Sequence, residues 1–247
     1  MTAGPVLILG ATSAIARAAA ASFAARGYPL YLAGRDHAEL ERLAGNLKIR
    51  YGIDVRCGLF DAEDYAGHAT FISRVRTEVG AVYGVLLAFG HLGEQRLATQ
   101  DARALELIVA VNFTGAVSIL EHCAEMLERQ RAGFIIAISS VAGERGRQSN
   151  YLYGAAKGGL SIYLQGLRNR LFGAGVSVLT VKPGFVDTAM TFGRPGLFLL
   201  AEPEQVGEQI VQALERGADL IYIPWFWRYI MFAIRLLPEA LFKRLRL

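Results

Sequence analysis

A chain of 247 residues, 53% of them hydrophobic, is long enough for one large α/β domain or two small ones. The formal charge is only +4, and no interior block of Lys and Arg interleaves with aromatics, which argues against a nucleic-acid partner. Two cysteines, Cys57 and Cys123, and four histidines, His37, His68, His91 and His122, lack the spacing of a disulfide framework or a metal site, so no metal is expected and a reducing compartment is.

In chain order, Pro5 to Leu9 reads as a buried parallel strand that stops at Gly10. A turn, Gly10 to Ala16, leads into a helix from Arg17 to Arg26, closed by Gly27. The alanine-rich stretch Val6–Ala25 lacks the basic flank of a secretory signal. Pro29 to Ala33 is a second strand. His37 to Tyr51 is an amphipathic helix with Leu40, Leu43 and Leu47 on one face. Asp54 to Leu59 is a third strand, followed by a helix near Tyr65 to Val79. Tyr83 to Phe89 is the fourth strand, and Asp101 to Arg129 one long helix. Gly133 to Ser139 is the fifth strand, Tyr151 to Phe172 a helix, and Val176 to Val181 the sixth strand. Pro203 to Arg216 is a helix and Leu220 to Ile223 a short seventh strand. Strict alternation implies an α/β fold: one doubly wound, Rossmann-type sheet of about seven parallel strands with helices on both faces. Residues 1–224 are expected to form this domain and 225–247 an apolar, basic helical extension of it.

In such a sheet a ligand binds beyond the carboxyl ends of the strands. Gly10, Arg35, Asp61, Gly90, Ser140 and Pro183-Gly184 each follow a strand. Gly10, with the Thr12 and Ser13 hydroxyls, sits where a strand passes into a helix N-terminus, which offers free N–H groups to a phosphate. Where a carboxylate would read an NAD ribose, the second strand ends in Ala33-Gly34-Arg35. A guanidinium there suits a 2′-phosphate, so NADP(H) is expected in preference to NAD(H), with Asp36 as the competing ribose ligand. Asp61 fits an acceptor for the adenine amino group or an ordinary helix cap.

Tyr153 and Lys157 are four apart, on one face of a helix. A fixed ammonium near a phenol favours the phenolate, which makes Tyr153 a candidate acid/base. Ser140 closes the apolar run Phe134–Ile138 and could hold a substrate oxygen.

Together these residues resemble the short-chain dehydrogenase/reductase family. The match covers roughly residues 5 to 190. It rests on Gly10-x-x-x-Ala14-x-Ala16, Asp61, Ala88-Phe89-Gly90, Asn112, Ser140, Tyr153-x-x-x-Lys157 and Pro183-Gly184-x-x-x-Thr188. The resemblance implies a catalytic set of Asn112, Ser140, Tyr153 and Lys157. Tyr153 would be the acid/base. Lys157 would bind the nicotinamide ribose and lower the Tyr153 pKa. Ser140 would orient the carbonyl, and Asn112 would support a proton-relay water. The cofactor would be held by Gly10, Thr12, Ser13, Ala14, Ile15, Arg35, Asp61, Ala88, Gly90, Tyr153, Lys157, Pro183, Gly184, Val186 and Thr188, with Thr188 at the carboxamide. Alanines in the glycine-rich turn and Ala88-Phe89 in place of Asn-Ala depart from the family pattern.

Ser139 to Gly154, with Glu144-Arg145-Gly146-Arg147 inside it, is similar to the corresponding stretch of the decaprenylphosphoryl-2-keto-ribose reductases, as is the tail from Tyr222. That resemblance implies reduction of a 2-keto-pentose carried on a polyprenyl phosphate. Glu144, Arg145 and Arg147 would form a polar, cationic rim for a sugar phosphate, or else a solvated loop. Another carbonyl substrate (a steroid, a 3-oxoacyl chain or a small ketone) and a non-catalytic NADP-binding regulator remain alternatives.

Trp225 to Pro238 is apolar and aromatic with Arg228 and Arg235, too short and interrupted to span a bilayer. It fits a helix lying on a membrane, or one packed over the cleft or a subunit interface. Phe192 to Leu200 is a candidate lid. The protein is expected in the cytoplasm, with peripheral contact at the inner face of the membrane left open. The family resemblance implies a homodimer or homotetramer built on the helices carrying Asn112 and Tyr153, with Gly158, Gly159 and Ser161 allowing close approach.

Overall fold

The computed structural model describes residues 4–191 and 199–245. Seven parallel strands form one sheet in the order β3-β2-β1-β4-β5-β6-β7. They are β1 (Val6–Leu9), β2 (Leu30–Gly34), β3 (Val55–Leu59), β4 (Gly84–Leu87), β5 (Gly133–Ile138), β6 (Val176–Pro183) and β7 (Leu220–Ile223). The order reverses between β1 and β4, where Leu9 is in register with Leu87. The helices that follow β1 and β4 lie on opposite faces of the sheet, which opens the crevice a ligand needs.

The connections are α1 (Ala14–Ala25), α2 (His37–Tyr51), α3 (His68–Val79), a short α4 (Gln95–Ala98), α5 (Ala102–Val109), α6 (Gly115–Gln130), α7 (Tyr151–Phe172) and α8 (Pro203–Glu215). After β7 come α9 (Trp227–Leu236) and α10 (Glu239–Phe242). One core, with Phe23, Leu40, Ile136 and Ile210, lies under α1, α2 and α8. The other, with Phe71, Leu120, Ile135 and Leu164, lies under α3, α6 and α7. Strands buried on both faces explain the unbroken apolar runs in the sequence.

The expected helix over 101–129 is one rod with a fault in it. Between α5 and α6, Ala110–Thr114 form a turn of π-helix with Asn112 at its centre. Such turns insert one residue and re-aim side chains. The rod is long and apolar enough to cross a bilayer by length and composition. Instead Ile119, Leu120, Cys123, Ala124 and Leu127 are buried in the second core.

Candidate active site

A cleft of about 500 Å³ opens at the switch point. It is lined by Gly10, Thr12 and Ser13 after β1, Arg35 after β2, Asp61 after β3 and Ala88 to His91 after β4. Gly10 has φ +79, and a Cβ there would meet the Phe89 backbone nitrogen at 2.7 Å. Only glycine lets the first turn pass this close to the loop after β4. Ser13 is the N-cap of α1: its Oγ accepts from Ala16 N at 3.3 Å and donates to the Ala88 carbonyl. Ala14 and Ile15 begin α1; Ile15 packs toward the core, and neither lines the cleft.

Arg35 lies on the cleft with no ion pair among the described residues. Asp36 is committed to capping α2, its Oδ1 accepting from Glu39 N at 3.0 Å. Asp61 Oδ1 takes the Glu63 N–H. Its carbonyl is held by His68, a buried ring placed between Asp61 O at 3.1 Å and Ser118 Oγ at 2.9 Å. Burial holds His68 below the usual histidine pKa, consistent with a neutral ring bridging an acceptor and a hydroxyl.

At the inner end of the cleft the structure brings Asn112, Ser140, Tyr153 and Lys157 together. The π turn aims Asn112 at the strand-end loop. Its Oδ1 accepts from His91 N at 3.1 Å, and its Nδ2 donates to the carbonyls of His91 and of Ile108, the latter at 2.8 Å. Lys157 Nζ donates to Ile138 O at 3.0 Å, at the end of β5, and lies 5.9 Å from the centre of the Tyr153 ring. A Cβ on Gly90 would stand 3.0 Å from Asn112 Oδ1 and 3.5 Å from Lys157 Nζ. Gly90 is therefore the point where the cleft meets the candidate catalytic residues Asn112 and Lys157.

The electrostatics differ from the expectation. Burial pushes the Tyr153 phenol up to about 12, only partly opposed by its hydrogen bond with Ser140. Burial likewise brings Lys157 down to about 8. The ammonium faces Ile138 O rather than the phenol, so it does not lower the Tyr153 pKa; desolvation wins. A buried cation with no carboxylate beside it among the described residues fits a site that receives a phosphate- and hydroxyl-bearing group. The glycine cradle at Gly10 and the capped end of α1 fit the same group.

Pro183 ends β6, and Gly184 donates to Ile223 O. Gly184 serves the tail: a Cβ on it would overlap the Trp227 indole, and it does not line the cleft. Val186 is buried and bridges to Ala201. Thr188 N donates to Thr191 Oγ1 at 3.0 Å. Most of the candidate lid, residues 192–198, lies outside the described residues.

Glu144, Arg145 and Arg147 do not form an open rim. Glu144 is 3% exposed, pairs with Lys182 at 2.7 Å and accepts from the Tyr222 hydroxyl. Arg145 donates to the Ile234 and Leu237 carbonyls at the end of α9, pairs with Glu239 at 2.9 Å and stacks over Phe242. Arg147 is partly buried against Met231 Sδ. The charges of this loop tie the tail to the loop behind Ser140. Gly158 and Gly159 are also used within the chain, packing against the Gly143 carbonyl and the Phe113 ring, and Ser161 binds Lys157 O.

Sequence reasoning passed over His91, His68, Met190 and Ser139. The paired Ser139-Ser140 held a usable signal, because neighbouring residues leaving a strand point to opposite faces. Ser140 faces Tyr153, while Ser139 Oγ turns inward to Lys157 O and Ser161 Oγ. Among the described residues no three His, Cys, Asp or Glu side chains gather in a way that could hold a metal.

The chain is 37% identical to an uncharacterized oxidoreductase of Mycobacterium tuberculosis, over 98% of this chain and 97% of the other. It is 39% identical to one of Streptomyces coelicolor, over 97% and 95%. Its fold matches a short-chain dehydrogenase of Sphingobium yanoikuyae in complex with NADPH (TM-score 0.82, 25% identity, 96% and 97% covered). It also matches an alcohol dehydrogenase of Thermococcus sibiricus complexed with 5-hydroxy-NADP (TM-score 0.80, 22% identity, 89% and 95% covered). Residues 5–194 match the short chain dehydrogenase family, and the chain belongs to that family of oxidoreductases.

Proposed function

We propose that the chain is an NADP(H)-dependent reductase that converts a ketone to a secondary alcohol. The observation that carries this is that Asn112 and Lys157 meet at Gly90, on the wall of the nucleotide-sized cleft, with Tyr153 beside Lys157 and hydrogen-bonded to Ser140. NADPH, when bound, supplies a hydride. Gly10, Thr12 and Ser13 would hold its phosphates and Arg35 its 2′-phosphate. The phenol of Tyr153, protonated through the neutral range, gives its proton to the developing alkoxide oxygen. The Ser140 hydroxyl orients that oxygen. Lys157, bonded to Ile138 O, would hold the nicotinamide ribose with its remaining N–H groups, and Asn112 holds the His91 peptide beside it.

The favoured substrate is a 2-keto-pentose linked to a polyprenyl phosphate, with the enzyme cytoplasmic, the tail in peripheral membrane contact, and a homodimer or homotetramer as the working form. The tail from Tyr222 supports this reading. The second reading, a less polar ketone, draws on a specific observation: Glu144 and Arg145 are spent on the tail and leave no charged rim at the cleft.

The test is a panel of ketones assayed by NADPH oxidation, including a polyprenyl-phosphate keto-pentose, a 3-oxoacyl thioester and a steroid ketone. Tyr153→Phe should cut turnover by roughly 10²–10⁴-fold and leave NADPH binding intact. Undiminished turnover in that variant overturns the role of Tyr153.

A further inference from the structure

Helix α9 has two apolar seams on opposite sides. Trp227 and Met231 are buried, and Ile230 and Ile234 pack beside them against Val141, Phe185 and Tyr222. The other seam, Trp225, Tyr229, Phe232 and Leu236, is 63–70% exposed. Its spacing of four, three and four residues keeps these side chains on one stripe. Leu241 and Leu245 extend the exposed apolar surface past α10. A helix apolar on both sides is incompletely buried unless something covers the second side.

The charge of the chain says what that is. Residues 1–224 carry 21 basic and 21 acidic side chains, while residues 225–247 carry five basic and one acidic. The whole surplus of +4 therefore sits in the tail. The single acid, Glu239, is taken by Arg145. Arg235 is shared with Glu144 at 3.7 Å, and Arg228, Lys243 and Arg244 are exposed with no ion pair among the described residues. Aromatic and aliphatic side chains flanked by unspent cations match the boundary between acyl chains and anionic headgroups.

Position gives the surface a purpose. The tail leaves the carboxyl end of β7, the end of the sheet that holds the cleft. The inner seam of α9 rests on Val141 and Phe185, which follow Ser140 and Gly184 directly. We propose that the outer seam of α9 is a docking face for an anionic lipid surface, and that docking sets the mouth of the active site against the bilayer. This deepens the reading of the chain as a reductase of lipid-borne carbonyl compounds and rests on it. Docking selects substrates by where they are presented, independently of the contacts made to the ketone.

The experiment uses the full chain with vesicles of phosphatidylcholine alone and of equal parts phosphatidylcholine and phosphatidylglycerol. Co-sedimentation should be roughly tenfold stronger on the anionic vesicles, weaken with salt, and bring a blue shift of Trp225 emission. Phe232→Glu should abolish it while NADPH-dependent reduction of a soluble ketone stays at the native rate. Absence of binding, or equal binding to both vesicles, overturns the proposal. So does a native dimer whose mass halves in Phe232→Glu, because a second copy then covers the seam. Vesicle binding by a chain that reduces no ketone sinks the enzymatic reading and leaves the docking face standing.

Discussion

The indole of Trp227 fills the space a side chain at Gly184 would need: a Cβ on Gly184 would stand 1.9 Å from Trp227 Nε1. The loop that closes β6 and the helix that follows β7 are thus shaped to each other. Gly184→Ala should displace α9 and lower stability by roughly 1–3 kcal/mol, the usual range for overpacking. Thermal unfolding would register this, and limited proteolysis should open residues 225–245 first. Trp227→Ala should cost more, roughly 3–5 kcal/mol, because it empties a fully buried site.

The Glu144–Lys182 pair offers a second test. Both side chains are nearly inaccessible, at 3% and 11% exposure. Lys182→Met leaves Glu144 with the Tyr222 hydroxyl and the more distant Arg235, and should destabilise the protein by roughly 1–3 kcal/mol in urea unfolding. Replacing both with apolar residues of similar size should recover most of that loss. If the double variant loses the sum of the two single losses, the pair is not coupled.

Lys157 contributes a pH dependence of known sign. Its folded pKa, about 8, lies below the ordinary 10.5. Between those values the unfolded chain binds more protons than the folded one, so stability rises as pH rises through this window. Below about 8 the buried ammonium costs stability. Lys157→Met should therefore be more stable than the native chain at pH 7, by about 2 kcal/mol after loss of the bond to Ile138 O, and the difference should close toward pH 10. The same variant should be inactive. Tyr153, shifted the other way to about 12, is protonated at neutral pH, so ketone reduction should be flat across it and alcohol oxidation should climb with pH.

Arg35 stands on the cleft without a carboxylate partner among the described residues, while Asp36 is held by the α2 cap. Arg35→Ala should raise KM for NADPH by roughly 10–100-fold and leave KM for NADH nearly unchanged, on the scale of a lost charge-assisted contact. Equal losses with both cofactors would refute the role assigned to Arg35.

Much of the fold is legible because its signals are local. The helix Tyr151–Phe172 and the strand Leu220–Ile223 fall where apolar spacing and flanking glycines place them. Ser140, Tyr153 and Lys157 are legible as well, because one loop and two helical turns join them. Glu144 and Arg145 are different. As sequence they are a charged loop beside Ser140, but their partners lie 38 to 94 residues away at Lys182, Tyr222, Ile234 and Glu239. No spacing within the loop encodes those contacts. The dominance of burial over the Lys157 charge at Tyr153 is equally invisible to a pattern, because it depends on how deep both groups sit.

The π turn at Ala110–Thr114 has a consequence for the two helices it joins. One residue more than an α-helical turn advances the rod by about 100° of rotation. The segment before it can then set Ile108 beside Ala142 and Tyr153, while the segment after it sets Ile119, Leu120 and Cys123 on the sheet. A rod of constant pitch would have to choose between packing beside Tyr153 and sealing the core. The extra residue works as a phase shifter, and deleting any one residue from 110–114 would pit the two halves against each other.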